Sequence, residues 1–306
     1  MRIVSLIPSA TEIVAALGFA DQLVGRSHEC DHPAGIVQLP ALTAPKFDPK
    51  GSSREIDDRV QLILQESLSV YRVDDALLAQ LHPDVIITQA QCEVCAVSLD
   101  EVKRVAQSVL SADAHIVSLE PNTLADVLAD IERVASALGV AEHGMSVRSN
   151  IEARMTAIAA QAADLEKVTV ATVEWIDPLM AAGNWMPELI EMAGGINLFG
   201  KAGAHSPWME WDDLWAADPD RIIVLPCGYD IDKTRQEMPA LTSQPGWATL
   251  RAVRDGHVYL TDGNQFFNRP GPRLLESLEI LAEILHPTTF NFGHSGSAWV
   301  RLEDRI

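Results

Sequence analysis

Short apolar runs that end in polar, ligand-type residues, each followed by a helix-forming stretch, recur along this chain and leave few folds open. The clearest case is Asp84 to Ile87, which leads into Thr88-Gln89-Ala90-Gln91-Cys92-Glu93-Val94-Cys95-Ala96-Val97-Ser98. A brief apolar run bounded by polar residues reads as a buried strand. Strands that alternate with helical stretches imply a parallel sheet. In open sheets of this kind, ligands bind beyond the carboxyl ends of the strands. The other two cysteines, Cys30 and Cys227, also follow strand-like runs, so all four are expected to face one cleft.

Taken in order, residues 2–7 form a strand. Pro8-Ser9-Ala10-Thr11-Glu12 turns into a helix over Ile13–Leu17, with Ser9 and Glu12 at capping-box spacing. A strand at Gln22–Gly25 precedes the loop Arg26-Ser27-His28-Glu29-Cys30-Asp31-His32-Pro33. Prolines and a glycine make residues 38–57 irregular. Helical spacing follows in Arg54–Ser69 and Asp74–Leu81, then strand Val85–Thr88, helix Leu99–Ser108 and strand His115–Leu119. Leu124, Val127, Leu128, Ile131, Val134, Ala135 and Leu138 recur at three- and four-residue steps, with Gly139 where a helix would end. Helix Ser146–Leu165 leads to a second run of the same alternation: strands Val168–Val173, Arg221–Leu225 and Val258–Thr261, and helices Pro187–Ala193 and Arg273–Leu285. Trp208, Trp211 and Trp215 are spaced as a helix seated on its lobe. The segment from His286 onward is expected to be loosely held or to cover a surface.

The fold expected is therefore α/β, and 306 residues are enough for two cores. The divisions expected are a lobe over 1–121, a linking helix over 122–142, a second lobe over 143–290 and a tail over 291–306. With 43 acidic against 23 basic residues and a net charge of -20, nucleic acid is excluded as a partner. No apolar run reaches the roughly 20 residues of a membrane span, and no secretory leader is visible ahead of Arg2. The expected address is cytoplasmic, or periplasmic if Met1 is not the native start. Four cysteines in such a length do not make a disulfide scaffold.

Several groups of residues carry candidate chemistry. Cys92 and Cys95, with Cys30, Cys227 and His28, form a candidate ligand set for zinc, iron or a metal-bearing ligand. Four small thiols that only pack is the competing reading. Glu174, Trp175 and Trp185 offer an aromatic wall suited to a large flat ligand, although tryptophans on such loops often pack locally. No nucleophile elbow and no phosphate-binding glycine loop is present. His28 beside Glu29 is the one candidate acid–base pair. The chain is not expected to be an enzyme.

Some stretches are specific enough to carry a resemblance. Arg2-Ile3-Val4-Ser5-Leu6-Ile7-Pro8-Ser9-Ala10-Thr11-Glu12 and Met186-Pro187-Glu188-Leu189-Ile190-Glu191-Met192-Ala193-Gly194-Gly195 are the strongest. Ala79 to Ile87, the Trp175–Asn184 loop and Arg269-Pro270-Gly271-Pro272-Arg273 support them. Together they resemble the class III substrate-binding proteins of bacterial uptake systems, which bind cobalamin and iron siderophores; the cobalamin branch is the closer likeness. The resemblance implies two Rossmann-like lobes with central parallel sheets, joined by one long backbone helix, with a ligand cleft between the lobes. By family position, ligand contacts would fall on Pro8, Ser9, His28, Glu29, Gln89, Gln91, Glu174, Trp175, Trp185, Gly228, Tyr229, Asn264 and Phe267. It also implies docking of a permease through one acidic residue on each lobe. Asp212 fits the second position, but Ala76 falls at the first, with Asp74 and Asp75 out of register, which counts against docking. Three readings follow: a non-catalytic binder of cobalamin or a related metal complex, a protein that holds a metal ion or cluster on its cysteines, and a corrinoid-processing enzyme.

Overall fold

The computed structural model describes residues 1–66, 70–90, 102–104 and 114–304. The chain divides into two compact units, one of residues 1–51, 55–121 and 125–150, the other of residues 52–54, 122–124 and 151–306.

In the first unit, β1 (Ile3–Ser5) is fully buried and pairs in parallel with β2 (Leu23–Arg26) on one side. On the other side it pairs with a later strand, Val85–Gln89. The chain leaves β1 through Ile7, in extended conformation, and enters α1 (Pro8–Ala16) with Pro8 at its first position. A fixed φ there starts a helix without a side-chain cap. Ser9 is thus an interior helix residue, and the capping box expected at Ser9 and Glu12 does not form. Beyond β2, β3 (Thr43–Pro45) lies in the stretch expected to be irregular. After α2 (Ser53–Glu66) comes β4 (Tyr71–Val73), antiparallel to β3. Asp74 caps α3 (Asp75–Leu81) by accepting the Leu77 amide at 2.9 Å. Next come β5 (Val85–Gln89), buried throughout, and β6 (His115–Leu119), in parallel register from Val85↔His115 to Gln89↔Leu119. The sheet order is β2-β1-β5-β6. The reversal of winding, the topological switch point, therefore falls between the ends of β1 and β5. The helix expected over Leu99–Ser108 lies outside the described residues except at 102–104. The long periodic segment forms α4 (Leu124–Ala137), closed by Gly139 at φ +76°. α5 (Ala141–Ala162) follows.

The second unit repeats this plan. β7 (Val168–Val173), α6 (Met186–Met192), β8 (Gly195–Asn197), α7 (Trp211–Ala217) and β9 (Arg221–Val224) follow one another. Three short helices, α8 (Ile231–Glu237), α9 (Pro239–Thr242) and α10 (Arg251–Arg254), lead to β10 (Val258–Thr261) and α11 (Leu274–Leu285). With β11 (Trp299–Arg301) at its edge, the sheet order β11-β10-β9-β7-β8 places the switch point between β7 and β9. Its core includes Val173, Ile222, Val224, Met238, Trp247, Val258 and Leu260.

Two expectations are corrected. The C-terminal segment is not a loose tail: Trp299–Arg301 form β11, antiparallel to β10, and Phe290, Ala298, Trp299 and Val300 are buried. The buried carboxylate of Glu283 accepts the amides of Phe292, Gly293 and His294 and, at 2.9 Å, the indole N–H of Trp299. The tryptophan stripe also divides. Trp208 lies ahead of α7 in a bridge with Met180, and both Trp208 and Trp215 are exposed by half or more. Trp211 and Trp215 spend their indole N–H groups on Pro245 O and Thr249 Oγ1.

Candidate functional site

Each unit gathers its candidate residues where a doubly wound sheet binds ligands, at the carboxyl ends of the two strands that flank the switch point. In the first unit these strands are β1, which leads to Pro8 and Ser9, and β5, which ends at Gln89. Ser9 is 1% exposed and its hydroxyl has no hydrogen-bond partner among the described residues. Gln91, Cys92 and Cys95 lie outside the described residues.

The loop after β2 is built from polar side chains that satisfy one another. His28 Nδ1 lies 2.7 Å from Thr43 Oγ1, which also accepts the His28 amide at 3.0 Å. The imidazole tilts against the Tyr71 ring, with centroids 5.2 Å apart. Burial, reinforced by the Arg26 guanidinium, pulls its pKa down and favours the neutral ring. Glu29 accepts the Tyr71 hydroxyl at 3.0 Å. His28 and Glu29 are thus directed to different partners, Thr43 and Tyr71. Sequence reading missed both of these partners, because each is brought in by a strand that carries little local signal. Cys30 is 1% exposed, with Thr11 Oγ1 3.0 Å from its sulfur. It is packed in the interior. Cys227 is exposed. Among the described residues no group of three or more His, Cys, Asp or Glu is placed to hold a metal ion.

In the second unit the switch-point strands end at Glu174-Trp175 and Pro226-Cys227-Gly228-Tyr229. The two loops are tied by the Cys227 amide on Glu174 O at 3.2 Å. Gly228 takes φ +76°, so the turn after β9 folds back on itself, with the Tyr229 amide on Pro226 O. The Trp175 and Tyr229 rings meet at 5.2 Å and 51°. The Trp175 indole nitrogen and the Tyr229 hydroxyl are both buried with no hydrogen-bond partner among the described residues. Burial, then the charge of Glu237, raises the Tyr229 pKa, which keeps the phenol neutral.

The loop after β10 packs closely on this turn: a Cβ on Gly263 would lie 2.2 Å from Pro226 O, so only glycine fits. Asn264 donates its amide to Tyr229 O at 3.0 Å, and its side-chain oxygen accepts from Arg269 at 3.1 Å. Asp262, 8% exposed, organises the loop by accepting the amides of Asn264 and Gln265.

Two predicted contact residues also have structural partners. Trp185 is 5% exposed and gives its indole N–H to Phe267 O at 2.8 Å. Phe267 is fully buried at φ 65°, and its amide is held by Ser277 Oγ at 2.9 Å. Both tie neighbouring loops together, and little of either side chain is exposed. Ser206, 6% exposed, was missed. It donates to Glu174 Oε1 at 2.8 Å across 32 positions of sequence, and no local pattern announces it.

No helix among the described residues is long and apolar enough to cross a membrane. The chain is 23% identical over 295 residues to an uncharacterized ABC transporter substrate-binding lipoprotein of Bacillus subtilis, YvrC, covering 94% of this chain and 81% of that protein. It is 22% identical over 284 residues to a vitamin B12-binding protein of Vibrio parahaemolyticus, covering 90% and 86%. Among solved structures, a periplasmic heme-binding protein from Pseudomonas aeruginosa superposes with a TM-score of 0.73 at 21% identity, covering 100% of this chain and 99% of that one. The periplasmic vitamin B12-binding protein of Vibrio cholerae gives 0.63 at 20%, covering 92% and 95%. YvrC is described as a lipoprotein and the two solved structures as periplasmic. They lend the cytoplasmic expectation no support, whereas the periplasmic alternative fits them. The periplasmic binding protein family matches residues 3–264, and the chain belongs to that family.

Proposed function

We propose that this chain binds a corrinoid, cobalamin or a near relative, without catalysis. Solute binding is the coarse function that goes with the family; the choice of a corrinoid is the finer step. The observation that carries it is the Trp175–Tyr229 pair at the switch point of the second sheet. Two aromatic faces with two buried, unsatisfied donors suit a large flat ligand with polar groups at its rim. Gly228, Asn264 and the ring pair would contact such a ligand from the second lobe. Pro8, Ser9 and His28, at the strand ends of the first lobe, are the candidate contacts on that lobe. A neutral His28 imidazole suits an open axial position on cobalt or iron. Vitamin B12-binding relatives are in keeping with the reading, and heme-binding ones make heme its natural competitor.

The test is absorbance-monitored titration with aquocobalamin, using wild type, Trp175→Ala and His28→Ala. Wild type should bind with a Kd of roughly 10 μM or tighter, and Trp175→Ala should weaken binding about tenfold or more. An unaltered cobalamin spectrum at a wild-type protein concentration of about 100 μM, roughly ten times that Kd, would end the proposal. Elemental analysis of protein purified without added metal tests the competing reading: stoichiometric zinc or iron, lost on substitution of Cys92 and Cys95, would favour a protein-held metal. For the third reading, turnover of a corrinoid that disappears in Glu29→Gln would mark an enzyme.

A further inference from the structure

An imidazole binds a metal through one ring nitrogen, and whatever holds the other nitrogen aims it. We infer that Thr43 is the positioning residue that makes His28 a cobalt ligand: it holds Nδ1, so that the Nε2 lone pair displaces an exchangeable water from the cobalt of an incoming corrinoid. The inference rests on the corrinoid reading above. It adds the coordinating atom, the residue that aims it and the form of the ligand it selects.

The two ring nitrogens of His28 differ in their surroundings. Nδ1 lies 2.7 Å from Thr43 Oγ1, whereas Nε2 has no hydrogen-bond partner among the described residues. The main chain of His28 is fixed at both ends. Its amide donates to Thr43 Oγ1 at 3.0 Å, and its carbonyl accepts Arg26 Nη1 at 3.2 Å. Arg26 also donates to Ser27 O at 2.9 Å and to Leu39 O at 3.2 Å, which ties the loop to the chain ahead of β3. The Tyr71 ring steadies the imidazole from a third direction, with centroids 5.2 Å apart at 53°. Thr43 and Tyr71 come from β3 and β4, in register Thr43↔Val73 and Pro45↔Tyr71. One ladder therefore sets both residues that touch the ring.

The protons can be placed. A threonine oxygen has one proton and two lone pairs. One lone pair of Thr43 Oγ1 takes the His28 amide. The buried Ser27 Oγ, 2.9 Å away, can accept the Thr43 proton. The second lone pair then takes Nδ1–H, which leaves the lone pair of the neutral ring on Nε2. The reverse arrangement, with the Thr43 proton on Nδ1, puts the ring proton on Nε2. The two interconvert by turning hydroxyls and exchanging a ring proton with solvent, with no net gain or loss, and cobalt selects the first. The Co–Nε2 bond forms, the bond from cobalt to water breaks, and the water leaves intact. Burial, with the Arg26 guanidinium, favours the neutral ring this step needs. Such a ligand discriminates by what already occupies the cobalt. Aquocobalamin offers an exchangeable water, whereas cyanocobalamin holds its cyanide firmly.

The experiment measures the affinities of aquocobalamin and cyanocobalamin by equilibrium dialysis, and by absorbance the band shift that marks imidazole in place of water. It uses wild type, His28→Ala, Thr43→Val and Thr43→Ser. The ratio of the two affinities is the readout, because a general loss of structure weakens both alike. Wild type should favour aquocobalamin by about 100-fold or more and show the shift. His28→Ala should bring the ratio to within about twofold of unity and abolish the shift. Thr43→Val keeps the shape without the hydroxyl and should lower the ratio about tenfold, and Thr43→Ser should restore most of it. Equal affinity for the two forms in wild type, a band shift that survives His28→Ala, or a Thr43→Val ratio equal to that of wild type would overturn this inference and leave the corrinoid reading standing. Failure of wild type to bind either cobalamin would overturn both.

Discussion

Glu283 is the single residue whose removal should undo most of the C-terminal structure. It sits on α11, 3% exposed, and its carboxylate gathers three consecutive backbone amides and one indole N–H from residues 292–299. Hydrogen bonds to a charged acceptor are worth about 1.5–3 kcal/mol each, but the four are not additive. Phe292 and Gly293 lie at the surface, so their amides would regain water once the carboxylate was gone. The Trp299 indole is buried and would not. Counting that orphaned donor at about 1–3 kcal/mol, with part of the remainder, gives a loss of about 3–4 kcal/mol for Glu283→Ala. Glu283→Gln keeps one acceptor oxygen but turns an NH2 group toward one of the donors, so it should lose about half as much. The loss should be local. Amide hydrogen exchange should speed up over residues 290–301, and Trp299 fluorescence should shift toward that of a solvated indole, while β7 and β9 stay protected. Unchanged exchange over 290–301 in Glu283→Ala would refute the argument that this carboxylate holds the segment.

Three further expectations follow from buried or paired groups. His294 Nε2 lies 3.0 Å from Glu279, which also holds Arg154, and the ring meets Phe266. The Glu279 hydrogen bond raises the His294 pKa against the opposing effect of burial, with the charges of Glu283, Glu279 and Glu276 adding to the rise. The stability it gives is therefore full below the unfolded value near 6.5 and is lost as pH rises through the folded value; protection factors over residues 290–301, corrected for intrinsic exchange across pH 5–9, should fall with pH, and His294→Gln should flatten that fall. Asp130 on α4 is 1% exposed and paired with Arg133, and burial lifts its pKa to about 7. Its folded form is favoured below the unfolded value of 3.8, and that advantage is lost progressively as pH rises to about 7, so Asp130→Asn should raise Tm most at pH 8 and progressively less toward pH 4. Trp185→Phe should cost about 1–3 kcal/mol in urea denaturation, because it orphans Phe267 O, while leaving ligand affinity within about twofold if Trp185 is a buttress.

Where local sequence carries the information, the elements were legible from it. Strands His115–Leu119, Val168–Val173 and Val258–Thr261 stand as read, because each is a short run rich in apolar and β-branched residues between polar breaks. The end of α4 was readable from Gly139, whose positive φ few other residues tolerate. The same logic placed Glu174, Trp175 and Tyr229 at strand ends, and they lie there. What the sequence by itself determined is thus the α/β alternation, the strand ends and the candidate residues on them.

The tertiary structure decided the rest. β3, β4, β8 and β11 are three residues each, too short for any periodicity, and they exist because a distant strand offers them a ladder. Whether a tryptophan lines a site or supports one depends on partners that no window of sequence contains. Trp175 and Trp185 look alike in the chain, yet Trp185 finds Phe267 O 82 positions away while the indole of Trp175 finds no partner among the described residues. The cysteines make the same point: Cys30 is drawn inward by Thr11 while Cys227 stays exposed. Local propensity fixes elements because it acts between residues a few positions apart. Burial and hydrogen-bond pairing are decided by which surfaces meet after the chain has folded, and those meetings gave the switch point its side chains.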